Sequence, residues 1–444
     1  MISNNTRIRE LATIVSTHTQ KIDDYLLSHN KPTPSFDVDC PELDLPEDLQ
    51  ASRELVIDAT TELKELLQGP KQFLLSNPPN YFVSLHAIYR YNIEQTFPVG
   101  GEATFDEISK VCGLNEPDVR RVLRHAMAHH IFREPRKGIV AHTAFSQMLA
   151  ENSKMKAWMG ALTDDIWPSA VQTVPAMIKW PNSQEPNHTG FSKAHDTQDS
   201  MYVELGKDPK RAARFGQGMS AFAADTGFAP HYLIDYELWS SLQEGTVVDL
   251  GGSHGGSMIA LATRYKSLKF VVQDLPSTIA SRPSLPEDLA KRITFMSHDF
   301  LTEQPVKNAE VYYFRRVFHN WPDTYCIRML RNLIPALKQH ARIVINDACL
   351  PEPGTLPLMA ERRLRALDLT MLTIQNSRER EAHDWKALFD EADPRFKFQG
   401  IKQPMGSELA FILASWEPGS DMRDGLSSHS SASLVNGNRV PHKD

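Results

Sequence analysis

The sequence predicts an α/β protein in which a mostly parallel sheet follows a long helical N-terminal region. From residue 246 onward, short β-branched runs alternate with helical stretches, which is typical of parallel sheets. One run, over residues 247–250, ends in a glycine-rich turn that leads into a helix. Amphipathic stretches and a small helical module fill the first 150 residues. Together these observations favour a strand–turn–helix ligand site in the C-terminal half.

Composition narrows the class of protein. The chain has 444 residues, enough for two to three domains, with 41% hydrophobic and 23% charged residues. A formal charge of −7 disfavours general nucleic-acid binding. We find no apolar leader and no run of ~18 apolar residues, so we expect a cytoplasmic protein without a membrane partner. Four scattered cysteines without a C-x-x-C pair indicate a reducing compartment and no metal site.

The N-terminal region, residues 1–77, carries two apolar stripes at helical spacing. The first lies within residues 7–28 and the second runs from Leu55 to Leu67, after a connector rich in proline and aspartate over residues 29–50. Each stripe needs a surface to cover it, which either this chain or a second subunit can supply.

Residues 78–150 have the order of signals expected of a winged helix. Thr104 and Glu107 form a capping-box pattern, and Pro117 stands in the first turn of a third helix. A hairpin follows over residues 133–140. Because the third helix and the hairpin are rich in arginine, a DNA-binding regulator is one rival function, which the acidic chain disfavours.

Residues 151–240 are predicted to be helical and are rich in aromatic side chains. A stripe of aromatic and methionine side chains that includes Phe215 and Met219 is usually core. Here it lies between two domains, where flat apolar ligands tend to bind, so we also expect an acceptor pocket there.

The predicted sheet domain extends over residues 241–417. A helix is expected over 324–339, and a closing antiparallel pair near 396–398 and 409–413. Residues 418–444 are rich in serine, glycine and asparagine, which predicts a disordered tail. The five parallel strands are expected at residues 247–250, 270–274, 293–297, 311–317 and 343–347.

The glycine turn lacks both common phosphate-binding patterns. Ser253 and His254 stand where G-x-G-x-x-G requires glycine, and no lysine completes a P-loop. Asp274 nevertheless ends the second strand, where an acid commonly holds a ribose hydroxyl pair. A ribose acid without a phosphate site fits S-adenosylmethionine. A plain turn that joins a core strand to a helix is the alternative.

Further polar residues follow the other strands, at the edge where open sheets bind ligands. Asp299 can accept from an adenine amino group and Phe300 can stack on its ring, or the two are a turn acid and a core side chain. His319 follows the fourth strand and Asp347 ends the fifth. A histidine beside a carboxylate can act as a general base. We find no G-x-S-x-G serine and no paired-histidine metal spacing, so acyl transfer and metal hydrolysis find no support.

Taken together, five segments resemble the S-adenosylmethionine-dependent small-molecule O-methyltransferases, especially the fungal polyketide enzymes and also the plant caffeic-acid type. The resemblance covers about residues 60–416. It implies a Rossmann-like class I methyltransferase sheet, a small aromatic substrate, and a winged-helix-like region that serves homodimerisation rather than DNA binding. The segments are VVDLGGSHGG at 247–256, VQDLP at 272–276, HDF at 298–300, FRRVFHNWPD at 314–323 and INDACLP at 345–351.

The resemblance implies roles for individual residues. His319 matches the catalytic base, and Asp347 and Glu379 match the acids that flank and orient it. Asp347 is one methylene shorter than the plant glutamate, and Ala223 stands where the plant enzymes have a cofactor-binding serine. Acceptor contacts are expected at Met219, Met371 and Gln375, with Phe215 beside them. Cofactor contacts are expected at Gly251, Gly252, Asp274, Leu275, Asp299, Phe300 and Arg315, the last in place of a plant lysine.

The predicted function is therefore methylation of a phenolic or enolic hydroxyl of an aromatic polyketide-type secondary metabolite. One alternative within the same fold is a pericyclase that uses the cofactor's sulfonium as a fixed positive charge. Such relatives tend to lose the base, whereas His319 and its acids are present here.

Overall fold

The computed structural model describes residues 6–76, 80–222 and 226–418. Ala223 and the predicted tail beyond residue 418 lie outside the described residues. Two long helices, α1 (Arg7–Ser28) and α2 (Glu47–Leu75), pack along each other. The first matches the predicted helix over 7–28. Helix α2 breaks at Gly69, whose φ of 67° is left-handed, just ahead of Pro70.

Helix α2 also reaches the C-terminal half of the chain. Its Asp58 accepts the backbone N–H of Met359 at 3.0 Å. Its Glu65 binds both terminal nitrogens of Arg362 at 2.7 Å. Because backbone N–H groups at a helix start have no partner within the helix, Asp58 caps from outside the helix that begins at residue 358.

A small module with a three-stranded antiparallel sheet follows, with strand order β1-β3-β2. Thr104 and Glu107 form the predicted capping box, and Gly113 ends that helix with a φ of 79°. The hairpin turns at Gly138, also at positive φ. The elements are α3 (Asn80–Arg90), β1 (Glu102–Thr104), α4 (Phe105–Cys112), α5 (Glu116–Met127), β2 (Arg133–Arg136) and β3 (Ile139–Ala141).

The middle region is helical, as predicted. A π-helical turn, Leu162–Ile166, interrupts it, and its two aspartates bind Arg211 and Arg214. The helices are α6 (Ala144–Glu151), α7 (Ser153–Ala161), α8 (Trp167–Val171), α9 (Thr173–Lys179), α10 (Gly190–Ala194), α11 (Met201–Gly206), α12 (Pro209–Phe222), α13 (Pro230–Ile234) and α14 (Glu237–Ser241).

The C-terminal half contains a seven-stranded sheet with five parallel strands and an antiparallel pair at one edge. Its order is β11-β12-β8-β7-β4-β5-β6. Its strands are β4 (Gly245–Leu250), β5 (Leu268–Asp274), β6 (Ile293–Ser297), β7 (Val311–Arg315), β8 (Arg342–Asp347), β11 (Phe396–Lys402) and β12 (Ala410–Trp416). Strands β9 (Cys349–Leu350) and β10 (Arg380–Glu381) form a separate two-stranded sheet. The helices are α15 (Gly256–Arg264), α16 (Pro276–Ala280), α17 (Glu287–Ala290), α18 (Asp323–Leu333), α19 (Leu358–Gln375) and α20 (Ala382–Ala392).

Two boundaries differ from the prediction. The fourth strand was expected to reach residue 317 but ends at Arg315, because Arg316 has a left-handed φ of 54°. The helix expected over 324–339 ends at Leu333 and continues as a single 3-10 turn, since Pro335 lacks an N–H.

Apolar side chains cover both faces of the sheet, as a parallel sheet requires. One core cluster contains Trp385 and Phe389 of α20, and the other contains Trp239 and Met258. Among the described residues, no helix combines the length and the apolar character needed to cross a bilayer.

Candidate active site

The glycine turn after β4 leaves no room for side chains at Gly251 and Gly252. The N–H groups of Gly251 and Gly252 both donate to the carbonyl of Gln273, at 2.8 and 3.1 Å. A Cβ on Gly252 would overlap Asp249 Oδ2 and lie 2.9 Å from Val272 Cγ1. Gly251 adopts a φ of 75°, where a side chain is strained. The turn is therefore built for close approach to its backbone.

Gly252→Ala should abolish tight binding of S-adenosylhomocysteine, because its methyl would displace the buried Asp249 carboxyl. Gly256→Ala is the matched control, since a Cβ there meets nothing within 4 Å. Titration calorimetry of both variants tests the turn. Equal affinities in the two variants would show that Gly252 is not needed for access to the cofactor.

Asp249 lies buried at this turn with an unpartnered oxygen. Its Oδ2 has no hydrogen-bond partner among the residues described. Burial, with the neighbouring charge of Asp274, raises the pKa of Asp249 to about 7. A cationic ligand nearby would stabilise the carboxylate. The turn therefore fits S-adenosylmethionine, which carries an ammonium and a sulfonium group.

The predicted adenosine contacts surround the same turn. Asp274 Oδ2 accepts the Ser253 N–H at 2.8 Å, and Oδ1 accepts the Leu275 N–H at 2.8 Å. Each carboxylate oxygen keeps a lone pair for a ribose hydroxyl. Leu275 is exposed, which leaves its side chain accessible to a ligand.

On the other side of the turn, Asp299 is exposed and accepts the Leu301 N–H at 2.9 Å. Phe300 lies 3.5 Å from the position of a Cβ on Gly251, and its ring meets Trp321 edge-on at 5.8 Å. The sheet thus brings the two halves of the predicted adenosine site together.

Arg315 lies at the end of β7, behind the turn. Its guanidinium donates to Asn346 Oδ1 and, at 3.3 Å, to the carbonyl of Phe228. Its charge also acts on Asp249, opposing the rise in that carboxyl's pKa. Arg315 is therefore positioned to interact with a ligand beyond the carboxyl end of the sheet.

His319 is buried and held by two acids. Its Nδ1 lies 3.0 Å from Glu379 Oε1 and 3.9 Å from Asp347 Oδ1. The nearer carboxylate fixes a proton on Nδ1, which leaves Nε2 as the basic nitrogen. Glu379 is thus the ring's hydrogen-bond partner. The shorter Asp347 instead accepts the His319 backbone N–H at 3.2 Å.

Two short strands explain how these acids meet. Strands β9 and β10 pair in parallel, with Arg380 opposite Cys349. This ladder joins the chain after Asp347 to the chain after Glu379. The Glu379 N–H in turn donates to Asp368 Oδ1 of α19 at 2.8 Å.

The two acids control the protonation of His319. Burial alone would lower the pKa of the ring, but the charges of Asp347 and Glu379 outweigh it and raise that pKa above its ordinary value. Burial, followed by the charge of Glu379, also raises the pKa of Asp347 against the opposing effect of His319. The imidazole is therefore a stronger base than a free histidine.

Activity should decrease as the pH is lowered, because protonated His319 cannot accept a proton. The midpoint of this decrease should lie above about pH 6.5, the ordinary histidine pKa, because the pKa of His319 is raised. Glu379→Gln removes a negative charge and should move this acid limb to lower pH, with a lower plateau. Profiles of kcat/KM against pH test this, with exposed Glu352→Gln as the charge-matched control. An unshifted limb would mean that Glu379 does not tune the base.

Arg380 was missed by the sequence prediction. It is fully buried, and it donates to the carbonyls of Phe318 and Trp321, at 3.0 and 2.8 Å, and to Asp323. These carbonyls flank the turn that carries His319. The sequence offered only an arginine within a run of charges, and such runs are usually solvated.

The predicted acceptor residues come together beside the base. Phe215 and Met371 share a buried cluster, with Met219 packed against it. Leu367 contacts this cluster and also lines a small cavity of about 10 Å³ next to His319. Gln375 is buried one turn further along α19. The structure therefore brings Phe215, Met219 and Met371 into one cluster, which Leu367 connects to the cavity at His319, with Gln375 on the same helix as Met371.

The site can be placed relative to the glycine turn. Val317 Cγ2 lies 2.9 Å from the position of a Cβ on Gly251, and Trp321 contacts Phe300. His319 lies between these two residues along the chain. A buried histidine with two acids thus neighbours the glycine turn and an apolar cluster, an arrangement that fits a group-transfer enzyme.

Comparisons with known proteins give the same class. The family model of an O-methyltransferase domain matches residues 179–394. The grayanic acid biosynthesis cluster O-methyltransferase of Cladonia grayi is 44% identical over 93% of this chain and 88% of the relative. The chlorophenol O-methyltransferase of Trichoderma longibrachiatum is 38% identical over 94% and 91%. The chain therefore belongs to the O-methyltransferase family, and it is an S-adenosylmethionine-dependent enzyme.

Solved structures share the fold. OxaC in complex with S-adenosylhomocysteine and oxaline matches with a TM-score of 0.71 at 24% identity, over 92% of this chain and all of that one. LepI in complex with S-adenosylmethionine matches with a TM-score of 0.68 at 22% identity, over 91% and 100%. These likenesses confirm the predicted class I methyltransferase sheet.

Proposed function

We propose that the enzyme methylates a phenolic or enolic hydroxyl of an aromatic polyketide-type metabolite, with His319 as the general base. The observation that carries this proposal is the Glu379–His319 hydrogen bond, which fixes Nδ1 and directs basicity to Nε2. The names of the relatives, a chlorophenol enzyme and one from grayanic acid biosynthesis, support an aromatic hydroxyl as the acceptor.

The bound cofactor supplies an electrophilic methyl group, and the protein's residues prepare the acceptor. A phenol has a pKa of about 10 and a free histidine about 6.5, so proton transfer costs roughly 5 kcal/mol. Asp347 and Glu379 narrow this gap by stabilising the imidazolium. Because opposite charges are neutralised as the methyl moves, a pocket that excludes water favours the reaction.

The remaining sites complete the proposal. The predicted adenosine contacts, from Gly251 to Phe300, hold the nucleoside, and Arg315 helps to hold the methionine end. The clustered side chains Phe215, Met219 and Met371 provide an apolar surface for a flat acceptor, and Gln375 provides a polar contact.

Incubation with methyl-labelled S-adenosylmethionine and a panel of phenols tests the function. We expect label in the product and stoichiometric S-adenosylhomocysteine. A product formed without label would instead support the pericyclase alternative, since another solved structure with this fold is described as a pericyclic reaction enzyme. The presence of His319 with both acids favours methyl transfer.

Removal of divalent metals should leave turnover unchanged. One ligand atom from each of His319, Asp347 and Glu379 lies within 4.8 Å of the others, so this group could hold a cation. In our proposal Nδ1 is protonated and already bound to Glu379, which leaves it no lone pair for a metal. Dialysis against EDTA, followed by assay, tests this. Activity lost on dialysis and regained with one added metal would contradict it.

We also propose a cytoplasmic homodimer joined through the N-terminal helices and the module at residues 78–150, as a dimerisation domain of winged-helix type. Exposed leucines on α2, among them Leu67 and Leu74, support this. Light scattering should give a dimer mass, and paired Leu67→Glu and Leu74→Glu should reduce it. Met405→Glu, at an exposed position outside α2, is the control.

The cytoplasmic location is supported by the four free cysteines, which fit a reducing compartment. Imaging of a fluorescently tagged chain tests this location.

A further inference from the structure

Arg316 occupies an unusual position beside the base. Its left-handed backbone, at a φ of 54°, turns the chain away from β7, and its N–H donates to the carbonyl of Asn346 at 3.1 Å. A side chain other than glycine is strained in this conformation, and such outliers cluster at functional sites. The turn directs the guanidinium away from the sheet and toward the catalytic cavity.

The guanidinium shares that cavity with the catalytic group. Arg316 lines it together with His319, Asp347 and Glu379, and its guanidinium carbon lies 5.0 Å from the ring centre of Phe228. An arginine stacked on an aromatic face still presents the edge of its planar fork to an oxyanion. Burial lowers its pKa, but from a value so high that the group stays charged at neutral pH.

Two further donors accompany this charge. Gln375 is almost completely buried, and its Nε2 has no hydrogen-bond partner among the described residues. The side chain of Tyr202 is half-exposed, and its hydroxyl donates a long hydrogen bond to Asn320 Oδ1 at 3.4 Å. The same hydroxyl lies beside Arg316 and Gln375. Because an unsatisfied buried amide is destabilising, an acceptor oxygen from a ligand would stabilise it.

We propose that Arg316, Tyr202 and Gln375 form a carboxylate-binding wall that selects hydroxybenzoate-type acceptors, in which the anionic group neighbours the hydroxyl that His319 deprotonates. The three side chains offer guanidinium, phenol and amide donors on one side of the base, and charge-assisted bonds of this kind are the strong ones. The inference rests on the proposed function and specifies its substrate class. It also assigns Arg316 and Tyr202 a binding role that the sequence prediction did not.

A matched acceptor series tests the wall. The acceptors are 2,4-dihydroxybenzoate, its methyl ester and resorcinol, which share the phenol and differ in the anionic group. We expect kcat/KM to favour the carboxylate. Arg316→Gln should reduce kcat/KM for the carboxylate by about tenfold to a hundredfold and change the other two much less. Arg328→Gln, an exposed arginine on α18, is the charge-matched control.

A second role for Arg316 can be separated by the same series. Its charge opposes the protonation of His319, so its removal should raise the pKa of the base and shift the pH profile equally for all three acceptors. Equal losses of kcat/KM across the series, or no preference for the carboxylate in the wild type, would overturn the wall.

Binding measurements keep the inference testable if these small phenols react slowly. Calorimetry on the enzyme with S-adenosylhomocysteine should show tighter binding of 2,4-dihydroxybenzoate than of resorcinol, and Gln375→Leu should weaken binding of the carboxylate by a larger factor than binding of resorcinol. Carboxylate binding no tighter than that of resorcinol would overturn the inference while labelled methyl transfer still stood. Failure of the labelled assay alone would refute the proposed function instead.

Discussion

His319→Ala should retain affinity for S-adenosylhomocysteine and lose about 10²- to 10⁴-fold in turnover, the usual contribution of a positioned general base. The ring is buried and bound to Glu379 at 3.0 Å, so its removal deletes the proton acceptor. The glycine turn follows β4, Asp274 ends β5, and both keep their backbone contacts in this variant. Cofactor binding and chemistry should therefore separate in this variant.

Single-turnover rates and calorimetry measure the two properties. His340→Ala is the control, because that histidine is exposed and binds Glu417 at the opposite end of β8. Near-normal turnover in His319→Ala would exclude this residue as the base. Joint loss of cofactor affinity would indicate that the ring supports the fold rather than the reaction.

Arg380→Met should lower the free energy of unfolding by about 3–5 kcal/mol, the usual cost of breaking a buried ion pair. Methionine fills a similar volume but removes the charged donor of the Phe318 and Trp321 carbonyls and of Asp323 Oδ1, although weaker or more exposed donors remain. Because those carbonyls flank His319, the remaining folded protein should also have a reduced kcat with a largely unchanged KM for the cofactor.

Arg378→Met is a closely matched control. It binds the other oxygen of Asp323 at 2.7 Å, but its side chain is 47% exposed, and exposed pairs contribute only about 0–1 kcal/mol. Urea unfolding of both variants gives the comparison. Similar destabilisation of the two would show that burial of Arg380 has no special role. Partial recovery of kcat in Arg380→Lys would support positioning through the Phe318 carbonyl.

Much of the sheet could be predicted because its strands carry their own signal. The parallel strands are buried on both faces, so β-branched and aromatic runs identify them without knowledge of their neighbours. The glycine turn could also be predicted from local sequence, because consecutive glycines after a strand indicate a tight turn. The structure then shows that a side chain does not fit at Gly251 or Gly252. The proximity of His319 and Asp347 could be predicted because they follow and end adjacent parallel strands, whose carboxyl ends lie at the same edge of the sheet.

The missing details depend on contacts between distant segments. Which acid binds the His319 ring is set by the two-residue ladder of β9 and β10, too short to leave a pattern. The left-handed turn at Arg316 follows from its bond to Asn346 on another strand. Buried Arg380 has the same sequence signature as a solvated arginine, and only its partners distinguish it.

The contacts between α2 and α19 connect the N-terminal helices to the proposed acceptor site. Asp58 and Glu65 hold the first turns of the helix whose far end carries Met371 and Gln375. If Met371 and Gln375 contact the acceptor as proposed, selectivity for the small molecule depends in part on a helix about three hundred residues earlier in the chain. An enzyme shortened at its front should still recognise the nucleoside but discriminate poorly among the compounds it modifies.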